Sequence, residues 1–426
     1  MITKQNRFPL FGLLLAGLTS FSGSAAESPR WKFDFGSGPI QSGFTQVLST
    51  RIYSAENSFG FEPGAHVIDF DRQRGNDLKR DFCTSETPFY FSVALPEGNY
   101  RITVTLGDAE GASTNTIKAE LRRLMIENVI TSPGKFSQQT FLVNIRTPKI
   151  DSARAVKLKE RERTSEIWAW DEKLTLEFNG ARPCVCALEI ESAPKVPTLF
   201  LLGDSTVCDQ PNEPWNSWGQ MLPRFFKSDI AVANHAESGE TLKNSYAAGR
   251  LAKVLSLMRP GDYLFIQYGH NDMKDRATNA LANYKSNLKR FVSGARAKGG
   301  TPVLITSMER KAGVDHETLG AYPDAVREVA REQKVPLIDL NAMSKVLYRA
   351  LGTNLDQAFQ DGTHHNNYGS YELAQCVAQG IKDLKLPLAK YLSKDFKSFD
   401  LHQPDPINTF NIPASPGVKG EKPLGD

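Results

Sequence analysis

Three short segments hold residue types able to do covalent chemistry: Gly203-Asp204-Ser205-Thr206, Gly269-His270-Asn271-Asp272 and Asp361-Gly362-Thr363-His364. A serine hydroxyl is a weak nucleophile until a base accepts its proton, and histidine is the side chain whose ordinary pKa suits that exchange near neutrality. Ser205 stands where the apolar run 198–202 stops at a glycine, which is how a strand presents a nucleophile at its carboxyl end. His364 has Asp361 three residues before it, close enough for the carboxylate to orient the imidazole and fix its tautomer. Asn271 follows a second apolar run, 263–268, and offers an amide. The set suits acyl transfer. His364 would take the proton of Ser205, an acyl-serine would form, and water activated by the same imidazole would release the acid. A base so placed contributes on the order of a hundredfold to ten-thousandfold. This chemistry calls for no metal and no cofactor.

The elements that must position these residues follow from the pattern around them. After Pro194 and Pro197 apolar runs alternate with helical periodicity, predicting a doubly wound parallel sheet. Its five strands are expected at 198–202, 230–234, 263–268, 302–307 and 335–340. Helices with apolar residues at three-to-four spacing are expected at 217–226, 242–258, 277–298 and 322–334, with a last one over about 368–384. Such sheets bind ligands beyond the carboxyl ends of their strands. Ser205 follows the first strand, Gly239 the second and Asn271 the third, and Asp361 with His364 lies after the helix that follows the fifth, so all converge on one rim.

From Trp31 to about Glu191 the pattern instead has period two with turn residues between short runs, predicting an antiparallel β-sandwich. Runs 89–95 and 100–106, joined at Pro96-Glu97-Gly98-Asn99, read as a hairpin. Further strands are expected at 136–145 and 174–178, the latter turning at Asn179-Gly180 into 185–190, and 117–130, whose composition suits a helix equally, is read as a strand pair. Beyond Ser393 the chain is rich in proline and lacks periodicity, so it reads as a tail, extended over the surface or disordered.

Length and composition agree with two folded units. The chain has 426 residues, 51 basic against 48 acidic, and 40 % hydrophobic content with five tryptophans, enough material for more than one core. A net charge of +3 gives no basic stripe, and neither zinc-ligand spacing nor aromatic–basic interleaving occurs, so nucleic acid is not expected as a partner. Residues 1–26 carry Lys4 and Arg7, an apolar run over 8–18 and the small residues Ser24-Ala25-Ala26. They read as a secretory signal cleaved near Ala26, the apolar run being too short to cross a bilayer. No later segment is long and apolar enough to span. The mature chain is expected to be secreted or periplasmic. Five cysteines leave at least one without an intramolecular partner. Cys184 and Cys186 project from one face of a strand, a poor geometry for a bond between them, and read as buried apolar side chains, as does Cys208.

Each assignment has a plainer competitor. Gly-Asp-Ser is a common loop tripeptide, and only the ordered set of motifs argues for a site. Gly239 could be a turn glycine, and Asn271 could cap a helix. His365 is an alternative base beside His364; the spacing from Asp361 favours His364. His235 and His270 read as structural or rim residues. Trp215 and Trp218 could form a sugar-stacking platform, but Trp218 fits a core position of its helix. Asn366 and Asn367 are expected to start the last helix.

The order Gly-Asp-Ser, Gly, Gly-x-Asn-Asp and Asp-x-x-His resembles the SGNH (GDSL-type) hydrolase superfamily over roughly 196–386. Asn234-His-Ala-Glu-Ser-Gly239 matches its second motif, and Asp361-Gly-Thr-His-His-Asn-Asn-Tyr-Gly369 resembles its rhamnogalacturonan acetylesterase branch. The resemblance implies a flavodoxin-like three-layer fold. It makes Ser205 the nucleophile, His364 and Asp361 the rest of a triad, and the Ser205 N–H, the Gly239 N–H and the Asn271 side chain an oxyanion hole. The opening Phe33-Asp-Phe-Gly-Ser-Gly, with Tyr53 and Phe59-Gly-Phe, looks like the galactose-binding-like sandwich that precedes some of those esterases. The organisation so implied is a leader 1–26, a sandwich 27–192, a catalytic domain 193–392 and a tail 393–426. The implied activity is a secreted serine esterase removing O-acetyl groups from a pectic polysaccharide, rhamnogalacturonan, so that acetylated polysaccharide or oligosaccharide is the expected partner. Two other readings remain open: a lipase, lysophospholipase or thioesterase of the same superfamily, which would need an apolar acyl channel beside Ser205, and an inert glycan-binding protein.

Overall fold

A computed structural model describes residues 30–416 together with Met1 and Pro423; the expected leader, Met1 apart, lies outside the described residues. Five parallel strands, Thr198–Gly203, Ala231–Asn234, Tyr263–Gln267, Thr301–Ile305 and Leu337–Ile338, form one sheet in the spatial order second, first, third, fourth, fifth. That is the flavodoxin-like order, with its switch point beside the first strand. Alternate side chains of one strand enter different cores. Leu199 and Leu201 pack with Met221, Leu347, Leu373 and Val377, whereas Phe200 and Leu202 pack with Leu251, Val254, Leu288 and Val326. Because both faces are buried under helices, the strands are continuous apolar runs rather than alternating ones.

Two of the expected helices are shorter than their periodicity suggested. The stretch 242–258 is broken into Leu242–Ala247 and Arg250–Leu257 at Gly249, whose φ of +84° is left-handed. A β-carbon there would stand 3.3 Å from the Ile150 side chain, and the Ala248 carbonyl accepts from Lys157 N–H. The break is where a loop of the amino-terminal part docks. The stretch 217–226 is a single turn, Trp218–Met221, continued as the 3₁₀ segment Leu222–Phe225, where Pro223 supplies no N–H for an α-helical bond. The helix Asn367–Asp383 begins as expected, Asn366 accepting the Gly369 N–H.

The amino-terminal part consists of a seven-stranded and a five-stranded sheet, largely antiparallel. One hydrophobic cluster draws on both: Phe35, Ile102, Val104 and Leu188 from the first, Phe91, Ile117, Leu176 and Phe178 from the second. The expected hairpin is not formed. Phe89–Ala94 pairs with Phe59–Phe61 and Lys173–Asn179 in one sheet, while Gly98–Asp108 pairs with Lys135–Ile145 and Cys184–Ser192 in the other. The turn at Pro96 therefore carries the chain across the core. Alternation marks which residues face inward, and both arrangements bury the same ones, so the pattern alone does not choose the partner strand. The pair expected over 117–130 is present as Ser113–Ala119 and Arg123–Thr131.

The described part of the tail is ordered over the surface of the last helix. Phe399 and Ile412 are buried, and the Phe410 ring meets Tyr368 and Tyr371 edge-on. Farther on, Ser415 reaches the amino-terminal sheets, bonding Glu177 and Lys118. All five cysteines are buried free thiols. No helix among the described residues is long and apolar enough to cross a membrane.

Candidate active site

Ser205 is held on a tight turn at the end of the first parallel strand. The Asp204 carbonyl accepts the N–H groups of Val207 and Cys208, both at 3.0 Å, and its carboxylate accepts Thr206 N–H at 3.0 Å and Thr206 Oγ1 at 2.7 Å. The chain reverses so closely that a β-carbon on Gly203 would lie 2.5 Å from Val207 and 2.8 Å from the Gln267 carbonyl, so only glycine fits two residues before Ser205. The other Asp204 oxygen stands 3.4 Å from Nδ1 of His270, whose Nε2 bonds the Met308 carbonyl at 3.0 Å. Burial alone would raise the Asp204 carboxyl; the His270 imidazole and the Thr206 donors hold it below its usual range. His270 thus braces the serine turn.

The histidine loop is shaped by Asp361. One carboxylate oxygen accepts the N–H groups of Thr363 at 2.7 Å and His364 at 2.6 Å, the side-chain-to-backbone turn that aspartate favours. The other lies 2.8 Å from His364 Nδ1. Across the same ring, Nε2 is 2.9 Å from Ser205 Oγ. Desolvation would raise the Asp361 carboxyl, but the imidazole and these backbone donors hold it far below the ordinary carboxylate range. His365 faces the other way: Nε2 meets the Tyr348 hydroxyl at 2.9 Å and its ring lies on Phe359 at 3.9 Å between centroids. Burial and then the neighbouring His364 push its pKa down to about 3.

The remaining predicted residues gather on the same rim. Glu237 N–H donates to the Gly203 carbonyl at 3.1 Å, bringing the segment ending at Gly239 beside the serine turn; Gly239 is left-handed, with φ +71°. Gln210 Nε2 donates to the Ser205 carbonyl at 2.6 Å and approaches Ser238 Oγ at 3.3 Å. Asn271 does not use its side chain as a helix cap; Nδ2 donates to the Glu240 carbonyl at 3.2 Å, and Oδ1 accepts from Lys274 at 3.3 Å. The two tryptophans separate. Trp218 is buried and donates to Gln267, whereas the Trp215 ring stands perpendicular to His364 at 5.8 Å. Cys208 is buried, its Sγ 3.2 Å from Ser238 Oγ, and burial raises its thiol well above the usual range.

A cavity of about 320 Å³ opens beside Trp215, the ring that meets His364, lined also by Gln210, Asn212 and Ser238 and, from the amino-terminal part, by Lys159 and Arg161. Sequence reasoning missed that second wall. The signal was the connection 146–172, which lacks periodicity between two strands; connections that long within a compact unit are uncommon and usually functional. Arg161 bonds Glu237 and the Ser238 carbonyl, tying that connection to the rim. Gln210 was missed because a lone glutamine in a loop carries no pattern.

Known proteins resemble this chain in sequence. Residues 201–370 match the profile of the GDSL-like lipase/acylhydrolase family, and residues 31–151 match a profile described as beta-agarase/YXIM esterase-like, galactose-binding domain-like. The rhamnogalacturonan acetylesterase RhgT of Bacillus subtilis is 39 % identical over 216 residues, an alignment spanning 46 % of this chain and 93 % of that protein. The probable rhamnogalacturonan acetylesterase YesY of the same organism is 36 % identical, over 46 % of this chain and 98 % of its own length. A third B. subtilis protein, the uncharacterized esterase YxiM, is 28 % identical over 84 % of this chain and 92 % of its own. The likeness to RhgT and YesY runs through nearly their whole length, and the chain accordingly belongs to the GDSL-like lipase/acylhydrolase (SGNH hydrolase) family, as a carboxylic ester hydrolase with an amino-terminal galactose-binding-like domain.

Proposed function

We propose that the protein is a secreted carbohydrate esterase that removes O-acetyl groups from rhamnogalacturonan through an acyl-serine intermediate. The observation that carries the reading is the line Ser205 Oγ, His364, Asp361, with contacts of 2.9 and 2.8 Å, in a chain similar along its carboxyl-terminal part to rhamnogalacturonan acetylesterases. In this reading His364 takes the Ser205 proton as the hydroxyl attacks the acetyl carbonyl, and Asp361 keeps Nδ1 protonated and stabilises the imidazolium. The negative charge that develops on the carbonyl oxygen is met by the N–H groups of Ser205 and Gly239 and by the Asn271 amide. His364 then protonates the departing sugar hydroxyl, and water deprotonated by the same ring frees acetate.

The wall of the neighbouring cavity favours this over a lipase or thioesterase. Lys159, Glu160, Arg161, Glu166, Gln210 and Asn212 line it beside Trp215, charged and amide groups that sugar hydroxyls can bond next to a ring a sugar can lie against, whereas a long acyl chain would leave those groups desolvated and unpaired. Export rests on the basic, apolar and small-residue order of 1–26. We assign the catalytic unit to 193–392, the galactose-binding-like unit to 27–192 and the tail to 393–426.

Acetate release from acetylated rhamnogalacturonan, acetylated xylan and acetyl and octanoyl nitrophenyl esters tests the reading. Preference for the acetylated pectic polymer, abolished in Ser205→Ala, is expected. Faster hydrolysis of the octanoyl ester would move the assignment to a lipase, and polymer binding with no acid released from any ester would move it to a glycan-binding protein.

A further inference from the structure

We propose that Arg122, contributed by the amino-terminal sheets, is a positioning residue for the reaction, an inference that rests on the reading of Ser205 and His364 as the reacting pair. Its guanidinium is buried at 6 % exposure. Nη1 donates to the carbonyls of Gln210 and Trp215, each at 3.0 Å. Nη2 lies 2.5 Å from Glu213 Oε1 and 3.3 Å from Asn367 Oδ1.

Three of these partners lead to the reacting pair through one further contact or the chain itself. Gln210 holds the Ser205 carbonyl at 2.6 Å. Trp215 sets its ring edge against His364 at 5.8 Å, and the next residue, Asn216, donates its N–H to the His365 carbonyl at 3.0 Å. Asn367 opens the helix that follows His364 and His365, and also bonds Asn216 at 2.7 Å. One planar fork thus fastens the nucleophile loop to the histidine loop. A lysine cannot do the same, because its point charge lacks the fixed divergent donors.

The backbone that delivers Arg122 is itself strained. Glu120 and Arg122 have φ of +56° and +61°, a left-handed conformation unfavourable for any residue with a β-carbon. Such outliers persist where the surroundings over-determine them and gather at functional positions. Here Glu120 accepts Thr175 N–H at 3.1 Å, and the Leu121 carbonyl accepts Gln220 Nε2 at 2.7 Å. Gln220 also bonds the Gln210 carbonyl at 3.0 Å, so the strained turn and the serine-side loop are clamped together.

The test compares Arg122→Gln with Arg224→Gln in the full chain. Arg224 also bonds across the two parts, to Glu127 at 2.8 Å, and its other side-chain bond is to Asp395, outside residues 205–216 and 361–367. On nitrophenyl acetate, Arg122→Gln should lower kcat about 10- to 100-fold, the scale of a slightly misplaced reacting group, with KM within about threefold. It should slow phosphonylation of Ser205 by a fluorophosphonate in the same proportion, with Arg122→Lys recovering part of both. Arg224→Gln should leave both rates unchanged. Full kcat in a folded Arg122→Gln, or equal losses in both variants in step with their melting temperatures, overturns the inference. If Arg122→Gln does not fold, Arg122→Lys decides, and wild-type kcat there overturns it. Activity surviving in Ser205→Ala would instead remove the reading on which the inference rests.

Discussion

His364 and His365 are adjacent in the chain yet send their rings into different compartments. Nε2 of the first meets Ser205 at 2.9 Å, and Nε2 of the second meets the Tyr348 hydroxyl at the same distance in the core beneath. The loop makes this division with Asp361, which captures the His364 N–H and ring together, while the tilted Phe359 ring packs against His365.

Substitution of the two should separate chemistry from stability. His364→Ala is expected to lower kcat for nitrophenyl acetate by about 10³-fold or more with an unchanged melting temperature. His365→Ala orphans the Tyr348 hydroxyl and empties a ring-sized space, so it should cost about 2–4 kcal/mol of stability while the folded fraction turns over within about tenfold of wild type. Urea unfolding and initial rates read the two effects. Loss of turnover in a folded His365→Ala alone would reverse the assignment of the base.

Asn271→Ala should remove one donor from the developing oxyanion. A loss of about 10²- to 10³-fold in kcat is expected, with KM little changed. Steady-state kinetics on a small acetyl ester check it, and a rise in KM at constant kcat would show that Asn271 binds substrate rather than the transition state.

Glu372 gives a pH dependence of stability. It is buried in the last helix against the tail, accepting Asp405 N–H at 3.1 Å, and burial, then Asp405, raise its pKa from 4.5 to about 8. A raised folded pKa means that the native state keeps a proton the unfolded chain releases. The associated stabilisation is complete below about 4.5 and is lost by about 1.4 kcal/mol per pH unit up to about 8. Glu372→Gln, neutral throughout, should therefore gain on the wild type between pH 5 and pH 8. Denaturant midpoints at both values measure this, and parallel curves would refute it.

The tail should prove structural. Phe399 is buried at 7 % exposure in the core behind the last helix, and its N–H donates to Gln379 at 2.9 Å. Phe399→Ala is expected to cost about 3 kcal/mol, read as a lower urea midpoint with unchanged slope. An unchanged midpoint would mean that the tail lies loosely on the surface.

The parallel sheet and the residues at its rim were legible from the amino-acid order, because each depends on short-range chemistry. Buried strands must be apolar throughout, a glycine at 203 ends the first run two residues before Ser205, and an aspartate three residues before a histidine can bond both its N–H and its ring. What the sequence could not determine lies in pairings between distant segments. Strands 89–94 and 98–108 bury the same residues whether they pair with each other or cross to opposite sheets, so periodicity left their partners undecided. Gly249 takes a left-handed φ that breaks a helix at the point where a loop from another part of the chain packs. Arg122, Lys159 and Arg161 gain their places beside the serine loop from the docking of two separately patterned halves, a long-range contact that no local spacing encodes, so only the tertiary structure reveals that the amino-terminal part builds one wall of the site.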